Sequence, residues 1–182
     1  IKALNIRPDP QLAPSWVKLS KAYVQSGKPI EAEAACHQAI NLIPNLFNYH
    51  FLLASILLRQ NKFHDAEIPL RKTIELKPDF FQAHLNLGAI LESFGKLQEA
   101  EVSTRKALEL NPNFFNAHFL LASILLNQNK FQDAEIPLRR TIELKPEFFQ
   151  AHLFQGVVFK NQGKLQEAEV STRKALELNP NY

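Results

Sequence analysis

The sequence contains no methionine, one cysteine, one tryptophan and five glycines among its 182 residues. The single Cys36 excludes an intramolecular disulfide and a metal site built from several cysteines. No apolar run approaches the ~18 residues of a membrane-spanning helix, so we do not expect membrane insertion. Without a methionine the natural start is missing, and we expect the chain to be a fragment of a longer protein.

Charge is spread along the chain rather than clustered. The formal net charge is +3, and Lys and Arg occur throughout, whereas nucleic-acid binding requires basic residues concentrated on one face. We find no nucleophile–base constellation, no glycine-rich phosphate loop and no paired carboxylates outside the repeating pattern described below. The sequence therefore predicts neither an enzyme nor a nucleic-acid-binding protein, and it predicts no cofactor. A cytoplasmic location is favoured, although no segment identifies the compartment.

Proline marks a regular repeat. Prolines recur every 34 residues, at Pro44, Pro78, Pro112, Pro146 and Pro180. The stretch Phe81–Phe114 returns in similar form from Phe47, Phe115 and Phe149, and more loosely from Ala13. A period between about 20 and 50 residues is typical of stacked repeats, in which each unit contacts only its neighbours. We therefore expect one domain of five units: 13–46, 47–80, 81–114, 115–148 and 149–182.

The segment before the first unit has a different pattern. Ile1–Arg7 matches the residues that close the third and fifth units, so we interpret residues 1–12 as the end of a truncated preceding repeat followed by a linker. Asp9, Pro10 and Pro14 predict a stiff, extended linker, because each proline fixes its own φ and restrains the residue before it.

Each unit has the pattern of two helices joined by a short turn, which is a hairpin. The apolar spacing predicts first helices at 15–26, 47–60, 81–94, 115–128 and 149–162. It predicts second helices at 29–42, 63–76, 97–110, 131–144 and 165–178. Pro69 and Pro137 lie inside second helices, which should bend or begin late because proline deletes a backbone hydrogen bond.

Charged and imidazole side chains recur at fixed positions of the repeat. Four second helices carry a Glu four residues before an Arg, which predicts ion pairs on a solvated outer face: Glu67–Arg71, Glu101–Arg105, Glu135–Arg139 and Glu169–Arg173. Four first helices carry a histidine: His50, His84, His118 and His152. A full repeat between neighbours is too far for a shared metal. We therefore expect imidazoles packed between layers with one nitrogen hydrogen-bonded.

These residues resemble the tetratricopeptide repeat (TPR) family, whose 34-residue pattern is Trp, Leu-Gly, Tyr, Ala, an aromatic residue, Ala and Pro. The first unit matches at Trp16, Leu19, Tyr23, Ala32, Ala39 and Pro44, with Ser20 in place of Gly and Cys36 in place of the aromatic residue. The resemblance implies an all-α fold, a right-handed superhelical solenoid of antiparallel helix hairpins. In it, Gly88 and Gly156 should let the two helices of a hairpin approach closely, because a larger side chain would overpack the contact.

The resemblance also implies where a partner binds. First helices of this family line a concave groove. The matching positions form what we call the predicted peptide-binding set: Asn48, Phe51, Ser55, Leu58, Gln82, Leu85, Asn86, Asn116, Phe119, Ser123, Leu126, Gln150, Leu153 and Lys160. Ala89, Glu92 and Val157 fall on the same face by their phase in the repeat.

The first helices of the second and fourth units are apolar nearly all round, since FLLASILL occupies both Phe51–Leu58 and Phe119–Leu126. Such helices are usually buried on both sides. Two interpretations stay open. The excess apolar surface forms a groove for an apolar strip of a partner, with amides at its edge for the partner's backbone, or adjacent first helices cover it.

The leading functional hypothesis is a protein-interaction scaffold that binds an extended or helical peptide segment in the concave groove. The alternative is self-association through the open ends of the solenoid, or service as the scaffold arm of a larger parent protein that could itself be an enzyme. The family subtype that clamps C-terminal carboxylates is excluded, because most of its cationic positions hold uncharged residues such as Leu52 and Gln82.

A longer period of 68 residues overlies the repeat. Residues 47–80 and 115–148 differ at five of 34 positions, and residues 81–114 and 149–182 differ at nine. Among these differences Gln155 replaces Leu87. An amide at this core position costs stability unless it finds a hydrogen-bond partner.

Overall fold

Helices form nearly all of the structure. The computed structural model describes residues 9–181, which form ten α-helices and no strand. The first helices of the five hairpins are α1 (Ala13–Gln25), α3 (Phe47–Arg59), α5 (Phe81–Ser93), α7 (Phe115–Asn127) and α9 (Phe149–Asn161). The second helices are α2 (Pro29–Leu42), α4 (Phe63–Leu76), α6 (Leu97–Leu110), α8 (Phe131–Leu144) and α10 (Leu165–Leu178). The predicted all-α fold of helix hairpins is confirmed.

The segment before α1 differs from the prediction. Pro10–Leu12 form a 3₁₀ turn rather than an extended linker, and α1 begins at Ala13 rather than at residue 15. The side chain of Asp9 caps this turn by accepting a hydrogen bond of 2.9 Å from the backbone N–H of Gln11. Pro14 lies in the first turn of α1, where a missing N–H costs no intrahelical bond. The interpretation of residues 1–8 as the end of a preceding repeat lies outside the described residues.

A residue with positive φ follows each first helix. It is glycine in three hairpins and asparagine in two, at Gly27, Asn61, Gly95, Asn129 and Gly163. These two residue types tolerate the left-handed conformation best. The backbone N–H of the next residue then caps the helix in a Schellman-type bond, as from Lys96 to the carbonyl of Leu91 at 2.9 Å.

Proline inside two second helices does not delay their start. The helices α4 and α8 begin at Phe63 and Phe131, the positions set by the period, with Pro69 and Pro137 in their interiors. Of the two expected effects, the late start is therefore absent, and a bend stays a prediction. The carbonyl that each proline leaves unpaired belongs to the exposed first turn of its helix, where water can bond to it.

The chain divides into two units, residues 1–83 and 84–182, with the boundary inside α5. In the first unit α1 pairs with α2 and α3 pairs with α4, while α2 also contacts α3. Cys36 of α2 is buried there and donates its thiol to the carbonyl of Tyr49 at 3.4 Å. Burial raises the pKa of this thiol to about 12.

In the second unit α7 pairs with α8 and α9 with α10, while α6 contacts α7 and α8 contacts α9. Its core includes Leu121, Leu125, Leu138 and Val158. Gly88 and Gly156 lie where two helices approach closely. A Cβ at Gly88 would collide with the hydroxyl of Thr104, and a Cβ at Gly156 would collide with the hydroxyl of Thr172. The predicted role of both glycines is confirmed.

Three of the repeat histidines bond to the carbonyl of the proline that ends the preceding repeat. Nε2 lies 2.7 Å from that oxygen at His50 and 2.8 Å from it at His118 and His152. Because a carbonyl can only accept, Nε2 carries the proton. The expectation of one hydrogen-bonded nitrogen is confirmed at these three positions.

The amide of Gln155 also has a partner. Its Oε1 accepts a hydrogen bond of 3.3 Å from the hydroxyl of Ser171. The polar replacement for Leu87 is therefore matched by a polar group on the facing helix.

The predicted Glu–Arg pairs form, but the face that carries them is not fully solvated. Arg105 lies 2.8 Å from Glu101, whose side chain is only 16% exposed. The same carboxylate also pairs with Lys130 of the next hairpin at 3.0 Å. Glu135 pairs with Lys164 in the same manner at 3.7 Å. The expectation of a purely solvated face is wrong for these glutamates, because they also join successive hairpins.

Candidate functional site

Within the second unit, α7 and the part of α5 that follows residue 83 bring part of the predicted peptide-binding set together. Side chains of α5 and α7 enclose a cleft of about 330 Å³, which we call the α5–α7 cleft. Five members of the set line it: Leu85, Asn86, Asn116, Phe119 and Ser123. Three residues outside the set complete the lining: Ala89, Glu92 and Leu120.

Side-chain size explains why a cleft lies here. At the phases where α7 has Phe119 and Ser123, α5 has the smaller residues Leu85 and Ala89. Between α7 and α9, by contrast, the ring of Phe154 stacks on Phe119 with centroids 5.0 Å apart. An aromatic ring therefore occupies space in the α7–α9 region that stays open between α5 and α7.

The lining combines apolar surface with free amides. Leu85, Phe119 and Leu120 supply apolar surface. The side-chain amides of Asn86 and Asn116 make no hydrogen bond to another residue of the described chain. Apolar side chains with a few polar groups are typical of ligand pockets, and amides are suited to bind the backbone of an extended peptide.

A carboxylate lies at the C-terminal end of the cleft on α5. Oε1 of Glu92 accepts hydrogen bonds from the hydroxyl of Ser123 at 2.6 Å and from Nδ2 of Asn127 at 3.0 Å. Burial raises the pKa of the Glu92 carboxyl, and these two hydrogen bonds oppose that rise. No Lys or Arg within the described ranges forms an ion pair with it.

Members of the set in the first unit have other surroundings. Phe51 is half-buried with its ring edge-on to Phe80, centroids 4.8 Å apart. The hydroxyl of Ser55 donates to the carbonyl of Phe51 within its own helix at 2.8 Å. Asn48 is exposed, and two further members are half-buried, Leu58 and Gln82. A role in binding stays a prediction for all five.

The remaining members lie elsewhere in the second unit. Leu153 and Lys160 line a cavity of about 610 Å³ between α9 and α10, which we call the α9–α10 cavity. Leu126 is partly buried against the core, and Gln150 is half-buried. The structure therefore gathers five of the predicted residues in one cleft and distributes the others.

The two interpretations of the apolar first helices each describe part of the surface. No residue in 51–58 or 119–126 is exposed. Neighbouring rings cover Phe51 and Phe119, the latter through Phe148 at 4.9 Å and through Phe154. The α5–α7 cleft is where part of this apolar surface stays open.

Sequence reasoning left three lining residues out of the set. Ala89 and Glu92 already fell on this face by phase, and Leu120 reaches the cleft from the position next to Phe119. For Glu92 the available signal was chemical, because a lone carboxylate occurs where α3 and α7 carry leucine.

The described part of the chain contains no group of three or more His, Cys, Asp or Glu side chains that could hold a metal ion. Among the helices of residues 9–181, none combines the length and apolar character needed to cross a bilayer.

Comparison with solved structures shows the same fold. A crystal structure of a MamA protein superimposes with a TM-score of 0.88 at 21% identity, covering 93% of this chain and 93% of that one. MamA from Desulfovibrio magneticus RS-1 gives a TM-score of 0.87 at 18% identity, covering 92% and 95%. YrrB, described as a TPR protein with an unusual peptide-binding site, gives 0.85 at 18% identity, covering 97% and 90%.

Family comparison agrees with the repeat pattern, although no curated protein sequence matches the chain. Tetratricopeptide repeat models match residues 81–114, 104–136, and both 13–46 and 149–182, which together are more than half of the chain. With the 34-residue period and the helix hairpins, these matches show that the chain belongs to the tetratricopeptide repeat family.

Proposed function

We propose that this chain is a protein-interaction scaffold and that the α5–α7 cleft binds an extended or helical peptide segment. The cleft itself carries the proposal, because it joins apolar walls to two amides that have no hydrogen-bond partner among the described residues. The description of YrrB, a relative in fold, as a peptide-binding TPR protein supports a role of this kind.

The dimensions of the cleft suit side chains of a peptide rather than a large ligand. Its volume of about 330 Å³ is at the low end of the range for ligand pockets, roughly 300–1,000 Å³. Leu85 and Glu92 are separated by about 10 Å along the helix axis, a distance that three or four residues of extended peptide span. We expect a short segment with one or two side chains inserted.

Filling the cleft should abolish binding without disturbing the core. Ala89 is exposed, so Ala89→Phe adds a ring that projects into the cleft. A displayed library of short random peptides selected on the immobilised chain supplies the probe, and fluorescence anisotropy measures its affinity. We expect Ala89→Phe to weaken the tightest peptide at least ~10-fold, since apolar contact and backbone hydrogen bonds are both blocked.

The chain offers a matched control at the same phase of the repeat. Val157 in α9 is also exposed and lies outside the α5–α7 cleft. Val157→Phe should leave the affinity unchanged. Equal affinity of Ala89→Phe and the unsubstituted chain would contradict peptide binding in this cleft.

Self-association is a second candidate, favoured by a comparison of two helices. The sequences of α6 and α10 are the same. Glu101 of α6 is covered by α7 and its hairpin, whereas the equivalent Glu169 of α10 has a side chain 62% exposed. Beside it Leu165 and Leu176 are exposed at 67% and 47%. We infer that this face packs against a further hairpin, and that in a solution of this chain alone a second copy supplies it, with its exposed Lys28, at the phase of Lys130, paired to Glu169.

Sedimentation equilibrium over a concentration series tests this candidate. The unsubstituted chain should associate as its concentration rises. The double change Leu165→Glu and Leu176→Glu should shift the chain to monomer, because it places two charges in the apolar contact between copies. The hairpin should still fold, since both side chains lie outside the core cluster. A chain that is monomeric at every concentration would rule the candidate out.

A further inference from the structure

Glu92 differs from every other half-buried carboxylate in the described residues. Each of the others lies within 3.0 Å of a Lys or Arg side chain: Glu33 with Lys62, Glu67 with Arg71, Glu101 with Arg105 and Lys130, and Glu135 with Arg139. Glu92 is hydrogen-bonded to two neutral groups, Ser123 and Asn127. A negative charge therefore lies in the α5–α7 cleft without a positive partner from residues 9–181.

Partial burial of such a charge is costly. Removing a carboxylate from water is offset mainly by an opposite charge with good hydrogen-bond geometry. Both hydrogen bonds in the structure reach Oε1 of Glu92, so Oε2 is left to accept from a further donor. A cation that enters the cleft would supply the missing charge and that donor together.

The walls beside Glu92 favour one kind of cation. Leu85, Ala89, Phe119 and Leu120 form apolar surface along the cleft. Lysine and arginine carry a charged tip on a long aliphatic stem, and the stem packs on apolar surface while the tip reaches a polar group. A small hydrated metal ion would leave these walls without contact.

The geometry points to a peptide partner that inserts a lysine or arginine side chain into the α5–α7 cleft and pairs it with Oε2 of Glu92. This inference rests on the proposed peptide-binding function and names the chemistry of its partner. The position is specific to α5, since α3 and α7 carry Leu58 and Leu126 at the same phase and α9 carries Lys160. Cation selection therefore belongs to this cleft and not to the repeat in general.

The test uses peptides selected from the displayed random library on the full chain. We expect selected sequences to be enriched in Lys or Arg at one position. Replacing that lysine by norleucine, which keeps the stem and removes the charge, should weaken binding at least ~10-fold, as for a desolvated charge pair. On the Glu92→Gln chain, the lysine and norleucine peptides should bind within ~2-fold of each other.

A stability control on Glu92→Gln and two further variants make the outcome specific. Glu92→Gln keeps the size of the side chain and an acceptor for Ser123 and Asn127, so its thermal unfolding should match that of the unsubstituted chain. Glu147→Gln, at an exposed carboxylate, should retain the full preference for lysine. Glu92→Lys, which places in α5 the residue type of α9, should reverse the preference towards acidic peptides.

The results separate this inference from the proposed function. If Ala89→Phe abolishes binding but norleucine substitutes for lysine without loss on the unsubstituted chain, the cleft binds peptides and the inference is overturned. If no peptide binds, or if Ala89→Phe has no effect, the proposed function fails and the inference fails with it.

Discussion

At the scale of single residues, the two helices of a hairpin are matched in pairs of positions. Gly88 on α5 faces Thr104 on α6, and a Cβ at Gly88 would collide with the threonine hydroxyl. That hydroxyl is buried without a hydrogen-bond partner. In two other hairpins the position of Gly88 is occupied by alanine and the position of Thr104 by leucine: Ala54 with Leu70, and Ala122 with Leu138. A β-branched residue at this position of the second helix therefore occurs together with glycine at the facing position of the first helix.

We expect Gly88→Ala to lower the free energy of unfolding by ~1–3 kcal/mol, because the added methyl overpacks the contact. Combining it with Thr104→Leu, which recreates the alanine–leucine pair, should recover part of that loss. Denaturant unfolding of the two single variants and the double variant measures the coupling between the sites. Strictly additive effects would show that the two positions are not matched.

The sequence identified only half of this pair. The position of Gly88 in the 34-residue TPR pattern, together with its lack of a side chain, indicated that it allows a close helix approach. The facing residue depends on how the two helices are rotated against each other, and that rotation is a property of the packed hairpin. Similarly, the comparison of repeats indicated that Gln155 costs stability unless its amide finds a partner, and only the structure shows that Ser171 is that partner.

At the scale of helices, carboxylates join successive hairpins. Burial acts to raise the pKa of Glu101, but hydrogen bonds from Arg105 and Lys130 outweigh it and lower the value from 4.5 to about 2. The spacing of four residues predicted the bond to Arg105. Lys130 is 29 residues away, so its contact depends on the register between two hairpins, which periodicity alone does not define.

This pairing predicts a stability difference that depends on pH. Because folding lowers the pKa of Glu101, its contribution is complete above the unfolded value near 4.5 and is lost as the pH falls through about 2. Glu101→Gln should therefore lower the free energy of unfolding by ~1 kcal/mol at neutral pH, and much less near pH 2. Denaturant unfolding at several pH values measures this difference.

The identical helix α10 provides the control. Glu169 occupies the position of Glu101 and pairs with Arg173 at 2.7 Å, but its side chain is 62% exposed. In dilute solution, where self-association is negligible, Glu169→Gln should have little effect at any pH. Equal losses from both substitutions would mean that the contact between hairpins contributes nothing.

At the scale of the whole molecule, the repeat predicted the fold more fully than the candidate site. The 34-residue period placed the helices, and the family resemblance selected the first helices as the binding face. It did not select the α5–α7 cleft, because the cleft exists only where Leu85 and Ala89 on one helix meet a neighbour that does not fill the space. The arrangement of all five hairpins as one domain stays a prediction.

The most direct measurement is nuclear magnetic resonance of the isotope-labelled chain titrated with the tightest selected peptide. If the first-helix face is the binding surface, the largest chemical-shift changes should fall on Leu85, Ala89, Glu92, Leu120 and Ser123. Changes confined to exposed side chains of the second helices, such as Val102 and Ile136, would contradict the account.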